Sequence, residues 1–239
     1  VSLATKMATS PQQVLDFLGK LAVKAKPYAE RDLQALRQFA AEKLDLPELE
    51  AWDLAHVSEK LREERFAFSD QEIKQYFPEN KVLAGMFKVV EKLYGIRIVS
   101  TAASSNIQCW HPDVKFFDIH DANGQLIGQF YLDLYARPTK RGGAWMDDAI
   151  TRRRIENQQT GVQAIQIPVA YLTCNFSAPV TINQQTRPAL FTHNEVIVLF
   201  HEFGHGLHHL LTQVEDLGVS GINGVEWDAV ELPRQFMEN

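Results

Sequence analysis

Up to Gly95 the apolar positions recur three and four residues apart, the period of helices with one buried face. Ser10 followed by Pro11 supplies a capping side chain and a proline where no donor is needed, so a helix is predicted to start there. Val14, Leu15, Leu18, Leu21 and Ala22 form its expected core face. A second helix is expected from about Pro27, with Leu33, Leu36, Phe39, Ala40 and Leu44 as its stripe and Pro47 beyond its end, and a third over residues 52–65. Ser69 and Glu72 have capping-box spacing, which predicts a further helix start. Over residues 78–94, Val82, Leu83, Met86, Phe87, Val90 and Leu93 repeat at helical spacing, and Gly95 stands where a C-cap glycine belongs.

After Gly95 the pattern turns to β-branched and aromatic runs. Residues 114–121 and 125–135, separated by Ala122, Asn123 and Gly124, read as a β-hairpin. Residues 164–176 read as a further strand, and Pro168 points to an edge position because it cannot donate to a ladder. Residues 138–148, with Gly142 and Gly143, read as a polar loop without a phosphate-binding signature, and Arg152, Arg153 and Arg154 as a solvated helix face. The expected fold is mainly α with a small antiparallel or mixed β-sheet, an α+β class. A helical region over residues 1–95 would precede a sheet with metal-binding helices over residues 96–239.

Of the 239 residues 45% are hydrophobic and 23% charged, which is ordinary globular composition. A formal charge of -6 leaves no basic field for nucleic-acid binding. The longest aliphatic or aromatic run, residues 196–200, is far short of the roughly 20 residues of a membrane helix. The opening residues hold no apolar signal core. Cys109 and Cys174 lack ligand spacing and read as buried thiols, compatible with a reducing compartment. The expectation is a soluble cytoplasmic chain, monomeric, with neither nucleic-acid nor membrane partners.

The chemistry concentrates near the C-terminal end. Thr192 and Glu195 form a second capping box, opening a mostly buried helix over residues 193–211. Within it, His201, Glu202, Phe203, Gly204 and His205 spell HExxH. A separation of four residues is about 400° of rotation and roughly 6 Å of rise, so both imidazoles lie on one face, one turn apart, and can reach one zinc ion. Glu202 is rotated about 100° from His201, beside a metal rather than on it, where a general base is needed. Hydrogen-bonded core histidines have the same spacing, so a third ligand has to decide. Gly218, Gly221 and Gly224 form a loop that can reverse the chain, and the helix-compatible stretch after it carries Glu226, Asp228, Glu231 and Glu238. Spacing does not choose among these carboxylates, and His208 competes with them. Asp228 and Glu238 are also placed to orient a ligand histidine.

The stretches FHEFGHGLHHLL and GVEWDAVELPRQFMEN resemble the active-site region of the thimet oligopeptidase family of zinc metallopeptidases. Upstream, AWDLAHVSEKL, QYFPENKVLAGMFKVVEKLYGI and GQFYLDLYARPTKRGGAW are similar to that family as well, so the likeness covers nearly the whole chain. It implies His201, His205 and Glu231 as ligands of one zinc ion per chain, and Glu202 as general base. The implied activity is hydrolysis of short oligopeptides by zinc-activated water, in a mainly helical fold with a deep channel that admits short peptides. Members of the family are longer, so the resemblance also implies an internal piece, with the histidine and tyrosines that bind substrate and stabilise the oxyanion beyond Asn239. A peptide-binding or inactive module of the same fold, and a zinc amidase, are the alternative readings. Arg234 departs from the family's pattern, which has a small polar residue there.

Overall fold

The computed structural model describes residues 8–66, 70–101, 107–156, 161, 163–182, 185–227 and 229–239. The chain divides into two compact units, Val1–Glu72 and Ile73–Asn239.

The first unit contains α1 (Pro11–Lys43) and α2 (Leu54–Phe66). Ser10 caps α1 through its side chain, which accepts from the Gln13 N–H. The expected break at Pro27 does not occur, and α1 runs through it. A mid-helix proline costs about 3 kcal/mol, and the strong helix formers on both sides sustain the helix across it. Phe39, Ala40 and Val57 make the unit's core, with Leu36, Leu44, Leu46, Leu49 and Leu61 packed around them. This core takes only the C-terminal part of α1, so the expected core face at its start is exposed at Val14, Leu15, Leu18 and Leu21. Periodicity identifies a face that can be buried, but not what buries it.

The short α3 (Asp70–Lys74) straddles the boundary between the units, and the second unit continues with α4 (Glu79–Tyr94), which ends at Gly95 in the left-handed conformation. Ser69, of the expected capping box before α3, lies outside the described residues. Val82, Leu83, Met86 and Val90 of α4 are buried against the sheet, so this helix belongs with the strands that follow it.

Among the described residues the main sheet has five strands, in the order β1 (Arg97–Ser100), β2 (Lys115–His120), β3 (Leu126–Tyr135), β7 (Val169–Phe176) and β4 (Trp145–Ile150). The hairpin forms as predicted, β2 and β3 pairing antiparallel. Strands β3 and β7 are parallel, so the sheet is mixed. The stretch read as one edge strand divides at Pro168 into β6 (Gln163–Gln166), paired with β5 (Arg153–Glu156), and β7, which is central. Pro168 falls between them, where its missing N–H costs no ladder bond, and its carbonyl accepts from the Gln129 N–H at 3.0 Å. The edge is instead β4, whose first residues lie in the stretch read as a loop. The arginine triplet likewise enters strand β5 and not a helix, with Arg152 and Arg154 paired to Glu215. Strands β8 (Val180–Ile182) and β9 (Gln185–Arg187) form a small hairpin.

Helix α5 (His193–Leu210) packs on the same core as α4. Phe130 stacks on Phe117 with ring centroids 4.9 Å apart and meets Phe203 of α5 edge-on at 5.4 Å. The approach to α5 is fixed by backbone bonds, since the Phe191 N–H donates to the Phe77 carbonyl and the Glu79 N–H to the Ala189 carbonyl, both at 2.9 Å. The buried Glu79 carboxylate also takes the Tyr135 hydroxyl and the Lys115 ammonium. Two residues before Tyr135 on β3, buried Asp133 takes the Arg137 guanidinium and the Lys140 ammonium, the latter at 2.9 Å. The last helix, α6 (Leu232–Met237), is shorter than the sequence pattern suggests, because Trp227 and residues 229–231 lie in turns.

Candidate metal centre

The capping box at the start of α5 forms as the sequence predicts, with the Glu195 N–H donating to the Thr192 hydroxyl at 3.0 Å and the Thr192 N–H to the Glu195 carboxylate at 2.6 Å. Leu199, Phe203, Leu207 and Leu210 bury one side of the helix. His201 and His205 are only partly buried, their ring centroids 5.7 Å apart and their planes nearly perpendicular.

The chain then reverses toward α5. The Ser220 hydroxyl donates to the Val214 carbonyl at 2.8 Å, and Asn223 Nδ2 donates to the Ser220 carbonyl at 3.1 Å. Gly221 sits at φ +66° directly against His209, where any Cβ would lie 2.5 Å from the imidazole. A second close approach brings α6 onto α5. Gly204, in the middle of HExxH, leaves room for the backbone of Pro233 and Arg234, and a Cβ there would lie 2.5 Å from Arg234 Cα. These contacts deliver Glu231 to the two histidines. One donor atom from each of His201, His205 and Glu231 lies within 4.8 Å of the others.

Hydrogen bonding sets the tautomers. His201 Nδ1 is paired with the Glu238 carboxylate, which only accepts when ionised, so Nδ1 carries the proton and Nε2 presents a lone pair. Arg234 Nη1 lies 2.7 Å from His205 Nε2, and since a guanidinium only donates, this Nε2 also presents a lone pair. Arg234 Nη2 contacts the Glu231 carboxylate as well. Burial, and after it the positive charge of Arg234, hold the His205 imidazole down at about 4, so the ring is neutral at pH 7. Two imidazoles and a carboxylate form the donor set of catalytic zinc. Zinc bonds of roughly 2.0–2.2 Å separate tetrahedral donors by about 3.4 Å, so the cluster has the right composition and is of suitable size for a small divalent ion. The cluster already attracts a cation, the Arg234 guanidinium.

Glu202 is 6% exposed. Burial raises its carboxyl above the ordinary range, while His201, Arg234 and a hydrogen bond from the Met146 backbone of β4 oppose the rise. The remaining candidates lie elsewhere. His209 is fully buried, with Nε2 3.0 Å from the Ile150 carbonyl, and serves to dock α5 on β4. His208 lines a cavity of about 550 Å³ with Leu207, Leu211, Val219 and Pro233, and burial lowers its imidazole pKa. Glu226 is not in the cluster, and Asp228 lies outside the described residues. Sequence spacing did not reveal the Met146 contact or the position of Arg234. The arginine's departure from the family pattern was the only signal for the second.

An HExxH helix, a buried glutamate between its histidines and a carboxylate returned by the following turn define a zincin-type metal centre. Residues 1–239 match the profile of Peptidase family M3, and the chain belongs to that family. It is 55% identical over 238 residues to oligopeptidase A of Escherichia coli (strain K12), covering 100% of this chain and 33% of that protein. It is 39% identical over 242 residues to the probable cytosolic oligopeptidase A of Arabidopsis thaliana, again 100% of this chain and 33% of the relative. Saccharolysin of Saccharomyces cerevisiae (strain ATCC 204508 / S288c) is 32% identical over 255 residues, 99% of this chain and 33% of its own length. The chain thus spans about a third of the length of the curated relatives it matches.

Proposed function

We propose that this chain carries the catalytic zinc centre of a metalloendopeptidase that hydrolyses short oligopeptides, with His201, His205 and Glu231 holding one zinc ion and Glu202 as general base. The observation that carries the reading is the convergence of the three donors within 4.8 Å beside a buried glutamate. Zinc bound there would supply Lewis acidity, polarising the scissile carbonyl and making water nucleophilic near neutral pH.

The chain's own residues would do the rest. The Glu202 carboxylate would accept a proton from the attacking water and deliver it to the leaving amine nitrogen, a role suited to a carboxyl raised by burial. Glu238 would keep His201 in the tautomer that offers Nε2. The Met146 backbone would hold the Glu202 carboxylate in place. Strand β4 pairs with β7 on one side alone among the described residues, so its other edge could take an extended peptide by strand addition, beside the carboxylate that its own Met146 contacts. Recognition through the backbone tolerates varied side chains, which fits broad specificity for short peptides.

The family resemblance and the name of the cytosolic Arabidopsis relative support a cytoplasmic, peptide-handling enzyme, which we take to be monomeric. No helix among the described residues is long and apolar enough to cross a membrane. The test is cleavage of a quenched oligopeptide with and without a chelator, for the wild-type chain and Glu202→Gln. Chelator-sensitive cleavage lost in Glu202→Gln supports the proposal. Cleavage indifferent to both overturns it.

A further inference from the structure

Arg234 occupies an unexpected place. It stands on the first turn of α6, its side chain is 25% exposed, and its guanidinium reaches back to two of the three donors, His205 Nε2 at 2.7 Å and the Glu231 carboxylate. The first contact occupies a lone pair that a metal needs, and the second is an ion pair with a carboxylate that a metal needs. A nitrogen lone pair accepting an N–H cannot at the same time bind a cation, and a carboxylate neutralised by an arginine attracts a second cation less. The Glu231 carboxylate carries a single negative charge, which the guanidinium beside it balances. The arrangement is also incomplete, because the buried Arg234 Nε–H has no hydrogen-bond partner among the described residues. A contact that leaves a donor unpaired is poised to be displaced.

We propose that Arg234 is a tethered competitor for the metal: its guanidinium closes the His205 and Glu231 donors in the metal-free chain, and a zinc ion binds only as that side chain swings away. The inference rests on the metal-centre reading above and goes beyond it, since nothing in the zinc-peptidase chemistry calls for an arginine among the ligands. The apparent dissociation constant for zinc is then the intrinsic one divided by the fraction of open chains. Two charge-assisted contacts keep that fraction small, so the competition should weaken apparent zinc affinity by about tenfold to a hundredfold. The device would tie loading of the centre to free zinc concentration and would hold the donor set together before the ion arrives.

The test is zinc affinity, measured by competition with a chromophoric chelator on metal-stripped protein, for the wild-type chain, Arg234→Ser, Arg234→Gln and Glu231→Ala. Thermal unfolding of each is followed with and without zinc. Arg234→Ser and Arg234→Gln should bind zinc at least about tenfold more tightly than wild type. They should also unfold earlier without zinc and show a larger upward shift of Tm when zinc is added, because ligand stabilisation grows with affinity. An arginine with a merely structural role would lower Tm equally with and without zinc and would leave affinity unchanged or weaker. That result overturns the inference while leaving the metal centre intact. Zinc binding that survives Glu231→Ala undiminished, or that is absent from every variant, overturns the metal-centre reading itself and this inference with it. Arg234→Gln keeps the first three side-chain carbons and a polar end but falls short of the guanidinium's contacts and carries no charge, so the comparison stands if Arg234→Ser fails to fold.

Discussion

Replacing Gly204 by alanine would strike the point where α6 rests on the HExxH helix. The new Cβ would lie 2.5 Å from Arg234 Cα, 2.9 Å from the Pro233 carbonyl oxygen and 3.0 Å from Arg234 N. Carbon atoms pack best about 3.5–4.0 Å apart, so the segment has to withdraw by about 1 Å. All three atoms are backbone, and no rotamer change relieves the clash. Overpacking of this kind costs about 1–3 kcal/mol, while alanine gains about 1 kcal/mol over glycine in a helix interior. The net expectation is a destabilisation of about 0–2 kcal/mol. The larger effect falls on the metal, because Glu231 lies one turn before Arg234 and moves with it. Metal bond lengths tolerate roughly 0.2 Å, so a shift of about 1 Å should lower zinc affinity by at least tenfold. Urea unfolding and chelator competition read the two effects. Gly206→Ala is the internal control, since the nearest atoms to its Cβ would be those of the Leu172 side chain, from 3.1 Å, which can turn aside. It should bind zinc like wild type. A Gly204→Ala chain as stable as wild type with unchanged zinc affinity would refute the close-approach argument.

Removing the Thr192 cap by Thr192→Ala should cost about 1 kcal/mol in urea unfolding and leave zinc affinity within twofold or so, because the cap is more than two turns from His201. Burial alone would raise the Asp133 carboxyl, but Arg137, Lys140 and Trp110 outweigh it and bring it down to about 2. A depressed carboxyl stabilises the fold above its unfolded value, near 3.9, and loses that contribution as pH falls through about 2. Asp133→Asn should therefore lose about 2 kcal/mol at pH 7 and narrow its deficit toward pH 2, as followed by unfolding across pH. A deficit that stays constant with pH would show that the charge is not what stabilises. Gly221→Ala forces a positive φ on alanine and sets a Cβ against His209, so the reversal after α5 should loosen, with early proteolysis after residue 211 as the readout.

HExxH and its helix were legible because metal binding by two histidines at i and i+4 requires a single helical face, and the Thr192 capping box marks where that face begins. The choice of Glu231 among Glu226, Asp228, Glu238 and His208 was not legible from spacing. It depends on how tightly the chain reverses at Gly221 and how near α6 comes at Gly204, and both are tertiary contacts. The family resemblance supplied that choice. The β2–β3 hairpin was readable from its turn, whereas the parallel pairing of β3 with β7 was not, since a proline at a strand junction looks the same as one at a sheet edge. The stripe on α1 carried a correct period and a wrong inference. A helical repeat does not say whether its own unit provides a partner, and this unit's core forms only around Phe39 and Val57. Arg234 was visible as an exception, and its contacts with His205 and Glu231 emerge only in three dimensions.

The account stands most directly on zinc stoichiometry, measured by elemental analysis of the wild-type chain, Glu202→Gln and Glu231→Ala after loading and removal of excess metal. Near one zinc per chain in wild type and in Glu202→Gln, with little in Glu231→Ala, is the predicted result. Zinc retained in Glu231→Ala, or lost in Glu202→Gln as fully as in the ligand variant, would contradict the division of roles between the three donors and the base.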